Sequence, residues 1–245
     1  SVNLYSEPFT LAGKSEGAHA IYFYTVYGGS TEIEQTRTFR LDTKAPELTL
    51  STPLPDQILS TRSTTASWTG SDSGSGLAKY EVRSDDNLWA DLAFATVHDF
   101  NGLTDGTHLL KVRAQDNLGH VTEVFGSVYV DTIAPEVTVL SPVQGSLMVP
   151  GAVSVTWDTK DSGSGTSASF IRLDSGEFQA VGNVTTFSLG TVGVGYHIIT
   201  VRSQDKAGNI NDATTTIEVK KEKKTTTTTT ASVSAVDLLV LLLVL

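Results

Sequence analysis

Six aspartates are the first candidates for chemistry in this chain. Asp42, Asp72 and Asp116 recur as Asp131, Asp161 and Asp205, each at an offset of 89 residues. Carboxylate oxygens are hard ligands, and three of them with loop carbonyls make the kind of oxygen cage that Ca²⁺ takes. An aspartate beside glycine or serine also caps a turn through its own backbone, so both roles are open. Among the five histidines, His19, His108 and His197 share one position at the same 89-residue offset. Equivalent positions in successive copies lie a whole unit apart, so these three cannot ligate one metal. A packed or half-buried ring set by strand register is expected instead. His98 and His120 have no partner at ligand spacing, and Asp85 and Asp86 read as a solvated pair on a polar turn.

Enzyme chemistry finds little purchase. The chain contains no cysteine, which removes thiol nucleophiles, zinc–thiolate sites, iron–sulfur clusters and disulfides together. No serine elbow or HExxH motif occurs, and the Ser-Gly-Ser-Gly loops lack the following helix and lysine of a phosphate loop. A formal net charge of −10 argues against nucleic acid as a partner, because phosphate binding needs a cationic face. The expectation is a protein that is not an enzyme.

The elements that position these residues follow from the repeat. Leu41-Asp-Thr-Lys-Ala-Pro46 recurs as Val130-Asp-Thr-Ile-Ala-Pro135, and Trp68 as Trp157. The Asp-Ser-Gly-Ser-Gly runs at 72–76 and 161–165 keep the same offset. Boundaries fall at the Ala-Pro pairs, since proline cannot continue a central strand. Units are therefore expected at 47–135 and 136–220, with 1–46 matching only the back half of a unit. Opening at Ser1 without a methionine, the chain reads as a processed product or a fragment with further units upstream.

Within each unit, apolar residues alternate with polar ones. Val153, Val155 and Trp157 flank Ser154 and Thr156, and Leu110/Val112, Val128/Val130 and Ile199/Val201 behave alike. About seven short strands per unit, separated by Gly, Asp, Asn and Ser turns, predict an all-β fold. It is a linear array of antiparallel β-sandwiches of immunoglobulin-like (Ig-like) type.

With the linker Asp-Thr-x-Ala-Pro, the Asp-Ser-Gly-Ser-Gly loop and the turn ending at Asn209, residues 1–220 resemble tandem bacterial and archaeal Ig-like modules. Such modules occur in surface adhesins, in S-layer-like proteins and as appendages of secreted enzymes. In that sandwich the loop between the second and third strands, the last hairpin loop and the incoming linker share one pole. Asp131, Asp161 and Asp205 should therefore converge at one joint, and Asp42, Asp72 and Asp116 at the one before. The resemblance implies calcium at such joints.

Beyond 220 the composition changes. Lys220, Lys221, Lys223 and Lys224 form a basic run, residues 225–230 are all threonine, and residues 238–245 are all Leu or Val. A spacer at 221–234 and a hydrophobic tail at 235–245 are expected, the tail reading as a membrane anchor. Asn183-Val-Thr185 is an N-glycosylation sequon. Tyr22 and Tyr24 offer a contact face for glycans or other surface proteins. Together these predict an extracellular, cell-surface stalk or adhesin-type spacer. The rival is a set of accessory modules carried behind the catalytic domain of a secreted hydrolase or peptidase. A third reading, a carbohydrate-binding module, rests on Trp89 and the tyrosines.

Overall fold

The computed structural model describes residues 10–221, so the spacer from 222 onward and the tail at 235–245 lie outside the described residues. The first segment holds β1 (Gly17–Phe23), β2 (Val26–Tyr27), β3 (Ser30–Thr31) and β4 (Gln35–Leu41). The second unit holds β5 (Glu47–Thr52), β6 (Gln57–Leu59), β7 (Ser63–Ser71), β8 (Leu77–Ser84), β9 (Ala90–Asp91), β10 (Val97–Asn101), β11 (Gly106–Asp116) and β12 (Val121–Val130). The third repeats it as β13 (Glu136–Ser141), β14 (Ser146–Met148), β15 (Gly151–Lys160), β16 (Thr166–Leu173), β17 (Gln179–Gly182), β18 (Thr186–Val192), β19 (Gly195–Asp205) and β20 (Ile210–Val219).

Each complete unit is an Ig-like sandwich of two sheets. In the second unit the order is β10-β7-β5 against β6-β12-β11-β8-β9, and the third unit copies it as β13-β15-β18 against β14-β20-β19-β16-β17. The β1–β4 hairpin pairs Gly17 with Leu41, as β11–β12 pairs Gly106 with Val130 and β19–β20 pairs Gly195 with Val219. The first segment thus supplies the last hairpin of a module.

Eight strands stand where about seven are expected, because the opening strand is split in two. Pro53 and Pro142 are buried and have no N–H to donate, so β5 and β13 stop there. The chain then crosses to the other sheet, where β6 runs parallel to β12 and β14 parallel to β20. This is the one departure from antiparallel pairing in each module, and it ties the entering strand to the leaving one.

Trp68 and Trp157 lie on the second long strand of their modules and are 2% and 1% exposed. Around Trp68 pack Ala66, Val82, Leu110, Val112 and Val128, and around Trp157 pack Val153, Val155, Ile171, Ile199 and Val201. The alternation puts these side chains on the inner faces because successive strand residues point to opposite sides.

Candidate functional site at the module joints

The joints are built from the linker and from three loops that meet it. Each linker carries an Asp-Thr pair, and the two residues are held by different modules. Thr132 donates its N–H and its hydroxyl to Asp105 Oδ1, both at 2.9 Å, on the module just left. At the earlier joint Thr43 makes the same two bonds to Glu16, the N–H at 3.0 Å. Asp131 turns the other way: its Oδ2 accepts the Ser164 N–H at 2.6 Å, in the loop before β16 of the next module. Asp42 accepts the Ser75 N–H in the same manner, also at 2.6 Å.

This contact explains the first glycine of the loop. A Cβ on Gly163 would fall 2.4 Å from Asp131 Cγ, and one on Gly74 would fall 2.2 Å from Asp42 Cγ, distances that no side chain tolerates. The second glycine has another reason, since Gly76 and Gly165 both take φ of +84°, which favours residues without Cβ. Asp72 and Asp161 close the loop from within by accepting the N–H groups of Gly76 and Gly165 at 2.6 Å. Two motifs that look separate in the sequence are the two halves of one clasp.

The last hairpin loop adds the third carboxylate. Asp205 accepts the backbone N–H and the side-chain amide of Asn209, both at 2.8 Å, and that amide also donates to the Asp131 carbonyl at 2.8 Å. At the earlier joint His120 stands in place of Asn209, and its Nδ1 lies 2.6 Å from Asp116 Oδ2. The hydrogen bond to Asp116 raises the His120 pKa against the cost of burial, and the charges of Asp42 and Asp72 add to it.

The structure brings Asp131, Asp161 and Asp205 together with ligand oxygens within 4.8 Å of one another. At the earlier joint the group within that distance is Asp42, Asp116 and His120, and Asp72 is not part of it. Burial pushes the Asp131 carboxyl up, but the Ser164 hydroxyl, the Ser164 N–H and the Ile133 N–H outweigh it and hold it below the usual range. Asp161 Oδ1 is buried with no hydrogen-bond partner, whereas Oδ2 accepts two N–H groups. Among the described residues no basic side chain forms an ion pair with Asp131, Asp161 or Asp205.

The repeated histidines are bound into the framework. His108 Nδ1 lies 2.8 Å from Asp85 Oδ2 and its Nε2 lies 2.7 Å from the Thr104 carbonyl. His197 repeats this with Asp174 at 2.9 Å and the Gly193 carbonyl at 3.0 Å. Asp85 keeps a 42% exposed side chain on its turn, but it also accepts the Leu109 N–H at 2.8 Å and so pins the β8–β9 turn to β11. Asp86 remains exposed. His98 packs edge-on against Phe100, with ring centroids 4.9 Å apart.

Trp89 is not an open platform for a sugar ring. It is half-buried, with the guanidinium groups of Arg83 and Arg113 at 4.6 and 4.2 Å from its centroid. Phe178 repeats the arrangement with Arg172 and Arg202 at 4.5 and 4.0 Å, so the motif is a way of covering the outer sheet face. Tyr22 and Tyr24 are exposed, as is Asn183 in the bend between β17 and β18.

No model of a protein family matches the chain, and no curated protein matches it. Among solved structures it is similar to the fibronectin(III)-like modules of Clostridium thermocellum CbhA, with a TM-score of 0.45 and 20% identity over 71% of this chain and 95% of that one. It is similar also to three N-terminal domains of the bacteriophage RB49 outer capsid protein Hoc, with a TM-score of 0.47 and 8% identity over 83% and 89%. Extracellular cadherin domains 3–6 of protocadherin gamma B2 are similar with a TM-score of 0.42 and 18% identity over 84% of this chain, which spans 60% of that one.

Proposed function

We propose that this chain is a non-enzymatic spacer of the cell surface, an array of Ig-like modules with fixed joints, held to a membrane by its C-terminal tail. The observation that carries the reading is the clasp, in which Thr132 is tied to the module before it and Asp131 to the module after it. A linker gripped residue by residue on both sides loses the freedom that lets tethered domains tumble. Such a joint suits a part whose task is to hold something at a distance. Its partners on this reading are other surface proteins or glycans, and its place is extracellular, where Asn183 is an exposed acceptor for a glycan.

Calcium belongs to the same reading at the later joint. The three oxygen ligands of Asp131, Asp161 and Asp205 suit a hard cation, and the buried, unpartnered Asp161 Oδ1 is an acceptor that an ion would satisfy. At the earlier joint the His120 imidazole takes the place of a third carboxylate beside Asp42 and Asp116.

The experiment is a distance measurement across the joint. The chain has no cysteine, so Asn101→Cys with Asn183→Cys places one spin label on each of two modules. A single narrow distance distribution is expected, broadening when Gly163→Ala and Thr132→Val open the clasp. A broad distribution in the chain with its clasp intact would overturn the reading.

A further inference from the structure

We infer that the pole of the third module from which the chain leaves is a surface that rests on a lipid bilayer carrying anionic headgroups. The inference builds on the C-terminal tether proposed above and adds a second contact to it. In the sheet β14-β20-β19, register places Leu147, Glu218 and Tyr196 in one row. Strand alternation turns all three to the outer face, because Met148 and Val219 beside them pack into the core. Val149 and Val194 flank Lys220 at the end of that row, since Lys220 donates its N–H to the Met148 carbonyl and Gly195 pairs with Val219. Ile198 follows two residues along β19. All five apolar or aromatic side chains are exposed, Tyr196 at 80%.

The second module shows that the fold does not require this surface. Its residues at the positions of Val149, Val194 and Tyr196 are Ser60, Asp105 and Thr107. Asp105 there grips the next linker, and the linker pair Asp131-Thr132 has Lys220-Lys221 as its counterpart in the third module. Leu147 and Ile198 have apolar counterparts in Ile58 and Leu109, so the difference lies at the rim: where one module presents a clasp for a following module, the other presents Val149, Val194, Tyr196 and two lysines. Glu218, the acid within the row, is paired with Lys220 at 2.8 Å.

This combination fits a membrane interface. Tyrosine is suited to the headgroup level, with an apolar ring and a polar tip, and lysines near the surface are drawn to anionic lipid. The apolar side chains supply the part that enters the boundary. Lys223 and Lys224 continue the basic run, and the 13 residues at 222–234 reach at most about 45 Å, so a tethered module stays near its bilayer.

The test uses the full chain with Val149→Cys carrying an environment-sensitive fluorophore, and Ser60→Cys as the equivalent position one module away. Vesicles contain equal parts of phosphatidylcholine and phosphatidylglycerol. The expected result is flotation of the protein with the vesicles and a severalfold rise in emission at position 149 with none at position 60. Val194→Asp, which restores the second module's residue, should remove most of that rise without preventing flotation. Flotation with no rise at 149 would overturn the contact and leave the tether standing. Failure to float would overturn both. A fluorophore already shielded at 149 before vesicles are added would assign the patch to a second copy or to the chain's own tail, and would also overturn the inference.

Discussion

The Tyr80 hydroxyl donates to the Gly70 carbonyl at 3.0 Å and fills the space where a side chain on Gly70 would stand. A Cβ on Gly70 would come 2.7 Å from that hydroxyl. The third module solves the same corner of its core differently, with Thr159, Ser169 and Ser203 in place of Gly70, Tyr80 and Ala114. There Thr159 Oγ1 bonds Ser203 Oγ at 2.6 Å, and the Trp157 indole donates to Ser169 at 3.3 Å. Gly70→Thr alone should therefore destabilise the second module by about 1–3 kcal/mol through overpacking. Adding Tyr80→Ser and Ala114→Ser should recover most of the loss, and chemical unfolding of the four combinations gives the coupling. Additive costs would mean that the three positions do not share one space.

Core loss should be larger and need no partner. Trp157→Ala removes the largest fully buried side chain of the third module and is expected to cost about 3–5 kcal/mol, enough to unfold a marginal domain. Urea titration of the 136–220 module measures it, and a change below about 1 kcal/mol would place the ring outside the core.

The clasp makes a sharper contrast between two glycines of one module. Gly163→Ala forces a methyl into the Asp131 carboxylate, whereas Gly193→Ala meets nothing within 4 Å. The first should lower the melting temperature of residues 47–220 and broaden the inter-module distance. The second should leave both unchanged. Equal effects would show that the close approach of Asp131 to the loop carries no weight.

Much of this joint is legible in the sequence, and the reasons for the rest are physical. The 89-residue offset and strand alternation are enough to place Asp131, Asp161 and Asp205 at one pole, because the fold's loop positions follow from its strand order. Thr132 with Asp105 escapes that reasoning, since the partners are 27 residues apart and the earlier joint uses Glu16 instead of aspartate. A repeat search that looks for identical residues passes over an acid that changes length. Asp85 misleads for the opposite reason. A charged pair on a turn has the composition of a solvated loop, and only the return of β11 beside that turn brings His108 to it. The split of the opening strand is written in Pro53 and Pro142, but which sheet receives β6 depends on the β12 edge, which no local pattern reveals.

The histidine pair predicts a stability window in pH. In the third module the hydrogen bond to Asp174 raises the His197 pKa above its ordinary value, against burial. Burial pushes Asp174 up, yet the bonds from His197 and Ile198 leave its pKa lowered. A histidine with a raised pKa binds its proton more tightly when folded. Its contribution is full below about pH 6.5 and is lost as pH rises through the folded value. An aspartate with a lowered pKa contributes fully above about pH 3.9 and loses that as pH falls through its folded value. Unfolding of the 136–220 module, followed through Trp157 as its single indole, should show this pair's contribution greatest between those limits. His197→Gln should flatten the fall on the alkaline side. An unchanged alkaline limb would assign the fall to another group.

Calcium should separate the two joints. An ion that binds only the folded state stabilises it by RT ln(1 + [Ca²⁺]/Kd), about 2.7 kcal/mol at 100 times Kd. At the later joint the variant to use is Asp161→Asn, because its amide oxygen can still accept the Gly163 and Gly165 N–H groups while the negative charge is gone. Calcium is expected to raise the melting temperature of the third module in the unaltered chain and to do so far less in Asp161→Asn. His120→Asn, which copies Asn209 into the earlier joint, removes the imidazole whose pKa Asp116, Asp42 and Asp72 raise and should make the second module's stability more dependent on calcium. Calorimetric titration with calcium, with magnesium as the control, measures both. If Asp161→Asn loses no calcium response, the carboxylate is only the cap of its loop, and the joint is held by hydrogen bonds alone.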